Sequence, residues 1–458
     1  MSQRVVVIGG GPAGIEAAVE AARCGAGVTL VSDMPAGGRA THASLVPSKV
    51  WLHAAELRAM RATGKLGRAS DAEMAALGSD VELFVSRTSE RHAQRLEDAG
   101  VRTLRGRAHF ASSHEIVLVR EGKDDKRIAF DRAVIASGSN PSFPSGFFGP
   151  DAQGPDGHFI LAPRFLSKVR SIPKTLVVVG GGTSGAEAAH AFSRLGAEVT
   201  WIVGELGLLP AFDRDLTDVL GGVLVERGVK IVQGKNALSI TKVGQGDETI
   251  QVKLDGGRTY AAERGFVALG RRADLSGLGL AAAGLEAEGT IAVNERMQTA
   301  VPHLFAAGDV TGGELSASRS SAEGWTAGRG AAGAEVPPLD PQALIHAVYA
   351  DPELAKVGLS PAEAVRHGRA SRVATIALGD TLRGALEGIG LDRHRPGLLR
   401  IALSDDDRVV GATAVGPRAA ELLAPLALAI RSGVPGKELA STFFASPTLS
   451  EAIGTALR

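Results

Sequence analysis

The chain has a single cysteine, Cys24, in 458 residues. An intrachain disulfide and a thiolate metal cluster are therefore both excluded, and no metal site is expected. Cys24 falls at the end of a predicted helix, in "EAAVEAARCGAGV", where a buried or half-buried, unreactive thiol is the expectation. Aromatic residues are scarce, at 4%. Neither sign of charge is in excess, because 50 Lys and Arg balance 50 Asp and Glu. That balance gives no electrostatic basis for binding nucleic acid or an anionic membrane. Long apolar runs are missing too. Those present have strand length and end in glycine, so no segment reads as membrane-spanning. The opening "MSQRVVVIGGG" enters a strand directly and reads as no signal peptide, which makes the cytoplasm the expected location.

Glycine is abundant instead, with 59 residues, and two clusters of it carry a pattern. "VVVIGGGPAGIEAA" is a β-branched run, a glycine turn and the start of a helical repeat. Gly9, Gly11 and Gly14 fit G-x-G-x-x-G, which lets a strand turn sharply and brings a pyrophosphate to a helix N-terminus. The pattern recurs in "LVVVGGGTSGAEAA" with Gly180, Gly182 and Gly185. Two such units imply two dinucleotide sites. After the first, the run "VTLV" ends at Ser32-Asp33, where an acidic residue is expected to hold a ribose hydroxyl. Ser32 takes that position and Asp33 is the candidate beside it. Three further strand-to-turn segments follow: "VIASGSNPSFP" with Ser137 and Gly138, "VALGRRAD" with Gly270, and "HLFAAGDVTG" with Gly308 and Asp309. The alternation of strands and helices reads as an α/β fold.

The order of these segments resembles the class I pyridine nucleotide–disulfide oxidoreductases, the family of dihydrolipoamide dehydrogenase, glutathione reductase and mercuric reductase. The similarity covers almost the whole chain. "DPELAKVGLS", "VVGATAVGPRAAELL" and "ASPTLSEAI" are similar to that family's dimerisation domain. The resemblance implies two Rossmann-like domains followed by a C-terminal α+β dimerisation domain. It divides the chain into residues 1–150 and 266–335 for FAD, 151–265 for NAD(P), and 336–458 for dimerisation. It implies FAD in the first fold, held by Gly9, Gly11, Pro12, Ala13, Gly14, Ser32, Asp33, Gly38, Arg39, Ser137, Gly138, Gly308 and Asp309. It implies a nicotinamide cofactor in the second, near Gly180, Gly182, Thr183, Ser184, Gly185, Glu205 and Gly270. It also implies a homodimer.

Against that family the stretch "GGRATHASLVPSKV" is both familiar and incomplete. Its Lys49 matches a lysine that pairs, beside flavin N5, with a glutamate of the second glycine motif, here Glu187. A cation there stabilises reduced flavin, and the carboxylate holds the ammonium in place. The two redox cysteines of the family are replaced by Ala40 and Leu45. The family's C-terminal His-Pro-Thr-x-x-Glu reads here as Ser446-Pro447-Thr448-Leu449-Ser450-Glu451. Glu451 is kept, but a serine hydroxyl cannot shuttle protons near neutral pH as imidazole does. The homodimer would bring Ser446 and Glu451 opposite the partner's copies of positions 40 and 45.

These replacements point away from dithiol–disulfide exchange. They leave a flavin oxidoreductase that passes electrons from NAD(P)H to a small non-disulfide acceptor. A quinone is favoured, by analogy with quinone reductases of this family. Two alternatives stay open: a specialised flavin enzyme acting on another small molecule, and a non-catalytic flavoprotein scaffold or sensor. His42 is the histidine nearest the lost cysteines and is a candidate proton donor, though a role in loop structure is the plainer reading. Tyr349 and His346 are expected to pack within the dimerisation sheet. The choice between NADH and NADPH stays open, because Val203 occupies the expected acidic position and only Glu205 follows it.

Overall fold

The computed structural model describes residues 2–61, 66–149, 154–244, 249–390 and 396–458. The boundary expected at 150/151 lies outside the described residues. The fold is mixed α/β. The β-branched run before the first glycines forms the strand Arg4–Ile8, the middle of a five-stranded parallel sheet. Gly27–Ser32 pairs on one side of it and Arg132–Ile135 on the other. Leu304–Ala306 and Arg102–Arg105 close the two edges. The second run repeats this plan. Thr175–Val179 lies between Glu198–Val203 and Arg264–Val267, with Lys230–Gln233 and Ile160–Leu161 at the edges, all parallel. Both central strands read as unbroken apolar runs because helices cover both faces of a parallel sheet.

The third sheet is antiparallel: His346–Val348, Glu353–Gly358, Val409–Gly416, Leu398–Leu403 and Arg372–Ala377, in that spatial order. Helices Ala424–Ser432 and Glu451–Leu457 pack on it over a core that includes Leu399, Ile401, Leu426 and Ile453. Carboxylates tie this sheet to the second parallel sheet, Asp351 among them. Asp351 Oδ2 lies 3.0 Å from Arg194 and 2.8 Å from Arg227.

In each parallel sheet the central strand feeds a glycine turn and then a helix, Pro12–Arg23 or Thr183–Arg194. The glycines divide into two kinds. A Cβ on Gly9 would meet Ala136 O at 2.1 Å, and one on Gly14 would meet Gly9 O at 1.8 Å. Gly180 and Gly185 are closed in the same way, at 2.2 and 1.9 Å. Gly11 and Gly182, by contrast, face open space. Each turn thus packs tightly behind and leaves room in front, as a cradle for a phosphate requires.

The helix Ala317–Ala331 crosses Pro12–Arg23 at backbone contact. A Cβ on Gly324 would fall 2.1 Å from Ala13 O, and one on Gly328 would fall 2.3 Å from Ala17 O. Gly324→Ala must push the two helices apart. We expect a loss of about 3 kcal/mol in stability, seen as a lower urea midpoint, together with weaker retention of any cofactor held by the first glycine turn.

Candidate active site: a cleft shared by three sheets

Proline and glycine punctuation sets the entry to the cleft. Gly37 and Gly38 both take positive φ, 99° and 53°, so the chain turns sharply before the short helix Gly38–Ala43. Leu45–Arg61 follows directly as a longer helix. This places Ala40, Leu45, Ser48 and Lys49 along one wall of a cleft of about 1060 Å³. Gly11 and Pro12 of the first turn and Gly182 and Thr183 of the second line the same cleft, as do Gly308, Asp309 and Gly270.

Lys49 Nζ donates to both oxygens of Glu187, at 2.7 and 2.8 Å. Glu187 is buried on the helix Thr183–Arg194, while a third of the Lys49 side chain remains accessible. The other donor to Glu187 comes from the third sheet: the Tyr349 N–H reaches Oε1 at 3.2 Å. The Lys49 ammonium also lies 4.6 Å from the centre of the Tyr349 ring. Tyr349 therefore lines the cleft and is 42% exposed. This corrects the expectation that it packs inside the dimerisation sheet. The reason is topological. It follows the three-residue edge strand His346–Val348, which faces the other two sheets. Burial, then the carboxylates of Glu353, Glu187 and Glu421, raise its phenol above the usual range.

His346 sits in that edge strand, as expected, with a largely buried side chain. It lines the cleft, its ring 4.9 Å from that of Phe212. Burial, and then Lys356, push its imidazole down to about 4.

At the first turn the residues around Asp309 form a network. Asp309 accepts from Ser139 Oγ and, at 3.5 Å, from Ser320 Oγ. Arg271 donates to Ser139 Oγ and O, both at 2.7 Å, and lies 3.7 Å from Asp309. Arg39 bonds Asp274 at 2.9 Å and reaches the carbonyls of Ser137 and Ser139. Two guanidinium groups thus stand at the wall that carries Gly138 and Gly308, which suits a pyrophosphate. Buried Glu323 fixes the loop from below, accepting from Gly308 N at 2.7 Å and Arg319 Nε at 2.6 Å. Arg271, Ser139 and Glu314 were not singled out from the sequence. Two arginines directly after a strand-ending glycine, at positions 271 and 272, were the available signal for the first.

Among the other candidates, Ser32 and Asp33 line the cleft, and His42, Ser446, Glu451 and Glu205 do not. Ser32 lines the cleft, but its hydroxyl is spent on a turn, bonding Met34 O at 2.8 Å. The Asp33 carboxylate faces Arg107 at 3.3 Å. His42 does not line the cleft, and its Nε2 meets Ala36 O at 3.3 Å, a loop contact. Ser446 and Glu451 are also outside this chain's cleft, where Glu451 accepts from Thr448 N. Glu205 is exposed, its N–H bonded to Asn236 Oδ1 at 3.3 Å. Val203 is fully buried beneath the second turn and has no polar atom to offer a ribose. Cys24 is half-buried at the helix end. Among the described residues no helix is long and apolar enough to cross a membrane.

The cradles fit the groups that the sequence implies. Comparison with known proteins agrees. The chain belongs to the pyridine nucleotide-disulphide oxidoreductase family, whose profile matches residues 3–329, with the family's dimerisation domain matching residues 345–457. It is therefore an oxidoreductase of a family that uses FAD and NAD(P)H. It is 32% identical to dihydrolipoyl dehydrogenase 2 of Haloarcula marismortui, over 98% of this chain and 94% of that one. It is also 32% identical to the dihydrolipoyl dehydrogenase of Thermus scotoductus, over 98% and 95%. Among solved structures, LpdA from Mycobacterium tuberculosis superposes with a TM-score of 0.90 at 29% identity, over 99% of both chains. RclA, an HOCl-induced flavoprotein disulfide reductase of Escherichia coli, shares the fold with a TM-score of 0.84 at 22% identity, over 99% of both chains.

Behind Tyr349, Glu353 is pushed up to about 7 by burial, with Glu56 and Glu421 adding to the effect. A carboxyl that ionises near 4.5 when unfolded and near 7 when folded binds more protons in the native state between those values. Stability then falls as pH rises through that window. Glu353→Gln should raise the melting temperature at pH 8 and leave it nearly unchanged at pH 4.5, as scanning calorimetry would show.

Proposed function

We propose that this chain is an NAD(P)H:acceptor oxidoreductase whose acceptor is a small planar molecule of the quinone class, not a disulfide. One observation carries the reading: the cleft wall leading to Lys49 holds Ala40 and Leu45, and the chain has no second cysteine. A thiolate is needed to attack or form a disulfide, and neither side chain supplies one. The first glycine turn, with Arg39, Arg271 and Asp309, is the proposed FAD site. The second turn is the proposed nicotinamide site. The division into residues 1–150 with 266–335, 151–265 and 336–458 is part of the same proposal. FAD bound there supplies a two-electron carrier between donor and acceptor. The protein's own part is to hold a cation at Lys49, to fix that cation through Glu187, and to leave an apolar face at Ala40 and Leu45. Overall, NAD(P)H, a proton and a quinone would give NAD(P)⁺ and a hydroquinone.

Separate half-reactions test this. Ala40→Phe fills the acceptor face and should slow reoxidation by a quinone by about tenfold or more, with flavin reduction by NAD(P)H held within about threefold. Lys49→Ala should do the reverse and slow flavin reduction by about tenfold. Unchanged quinone reduction in Ala40→Phe, with the flavin intact, removes the acceptor from that wall. Turnover of lipoamide or glutathione disulfide by the wild type would overturn the reading altogether.

The proposal includes a homodimer, which the dimerisation domain supports. Phe443 is fully exposed and Leu428 63% exposed on that domain, an apolar surface suited to burial against a second copy. Phe443→Asp should shift the sedimentation equilibrium toward monomer at micromolar concentration.

A further inference from the structure

The cleft holds a second polar pair, Glu314 and His346, whose chain neighbours Leu315, Ser316, Ile345 and Ala347 also line it. His346 Nδ1 lies 3.2 Å from Glu314 Oε2, yet the two are not aligned as a hydrogen bond and Nδ1 has no partner. Burial raises the Glu314 carboxyl. Glu314 already bonds Ser316, with Lys356 and Arg319 as nearby cations, but a carboxylate has further acceptor sites. His346 Nδ1 is the unmet member of the pair, and such a buried polar atom is costly.

His346 packs against Phe212 of the second fold, while Glu314 comes to it from the segment that follows Asp309. His346 precedes Tyr349 by three residues, so at about 3.3 Å per residue it stands within about 10 Å of the Tyr349 N–H. That N–H bonds Glu187, on the helix that begins at the second turn. Phe212, from the loop after the strand Glu198–Val203, packs on the imidazole. A ligand bound at the second turn and reaching Lys49 would come near this pair.

We propose that Glu314 and His346 together receive the carboxamide of the hydride donor's nicotinamide ring. A carboxamide presents two N–H donors and one carbonyl acceptor. A carboxylate accepts from the first, and a neutral imidazole donates to the second. The apolar walls take the flat ring, and the pair fixes which edge of it points inward. The proposal rests on the reading of the second fold as the nicotinamide site and is independent of what the acceptor is.

Equilibrium binding to the FAD-loaded enzyme tests it without turnover. NAD⁺ and its 3-acetylpyridine analogue differ by the replacement of the amide NH₂ with a methyl group. Titration calorimetry on the wild type should favour NAD⁺ by about tenfold, the ratio expected for a hydrogen bond to a charged group. Glu314→Leu should bring the ratio to within about twofold of one, while ADP-ribose, which lacks the ring, binds as before. Glu314→Gln keeps shape and one acceptor oxygen, and should give an intermediate ratio of about threefold if the leucine variant fails to fold. A wild-type ratio near one, or a ratio unchanged in Glu314→Gln, overturns the proposal. An enzyme that reduces no quinone but shows the expected ratios would sink the acceptor reading and leave this one standing.

Discussion

The ion pair between Lys49 and Glu187 is the constraint around which the cleft is built. It joins the helix Leu45–Arg61 to Thr183–Arg194, the first helix of the second parallel sheet, and Trp51, Leu52 and Ala55 of the former pack in the same core. A buried carboxylate and a part-buried ammonium are tolerable only together. Removing one partner from such a pair costs about 3–5 kcal/mol, because the other charge is left without compensation. The third sheet contributes to the same carboxylate through the backbone of Tyr349, which leaves Glu187 little freedom to turn. The cation is therefore held at a fixed place, and preorganised charge is most effective where it cannot relax.

Much of this was legible in the sequence, for a physical reason. A strand, a sharp glycine turn and a helix are local events, and the glycines are required because an added Cβ would fall as close as 1.8 Å to a backbone oxygen. Such contacts permit no substitute, so the pattern survives in recognisable form. Lys49 and Glu187 could be paired from the family resemblance, and the structure puts them 2.7 Å apart. Tyr349 was misread because a three-residue edge strand has no period long enough to show which face is buried. Asp33 and Ser32 were read by position along a strand. Both line the cleft, and what position does not reveal is that their polar atoms also meet Arg107 and the backbone of Met34.

Ala40 and Leu45 in the cleft, and Ser446 outside it, differ from the family's pattern, yet both glycine turns are in place. Backbone scaffolding and reactive groups are carried by different residues, so one can change while the other stays. That separation is how a single fold hosts several chemistries.

Tyr349's bond to Glu187 also has a consequence for how the protein is made. Lys49 and Glu187 stand 138 residues apart, and Tyr349 is a further 162 beyond Glu187. Contacts this distant in sequence form late, after the locally wound units have folded. A ribosome that has released residues 1–200 has delivered both charges of the pair but not the strand that braces them. Neither parallel sheet is complete at that point, because the first still lacks Leu304–Ala306 and the second lacks Lys230–Gln233 and Arg264–Val267, and the cleft closes only when the rest of the polypeptide docks.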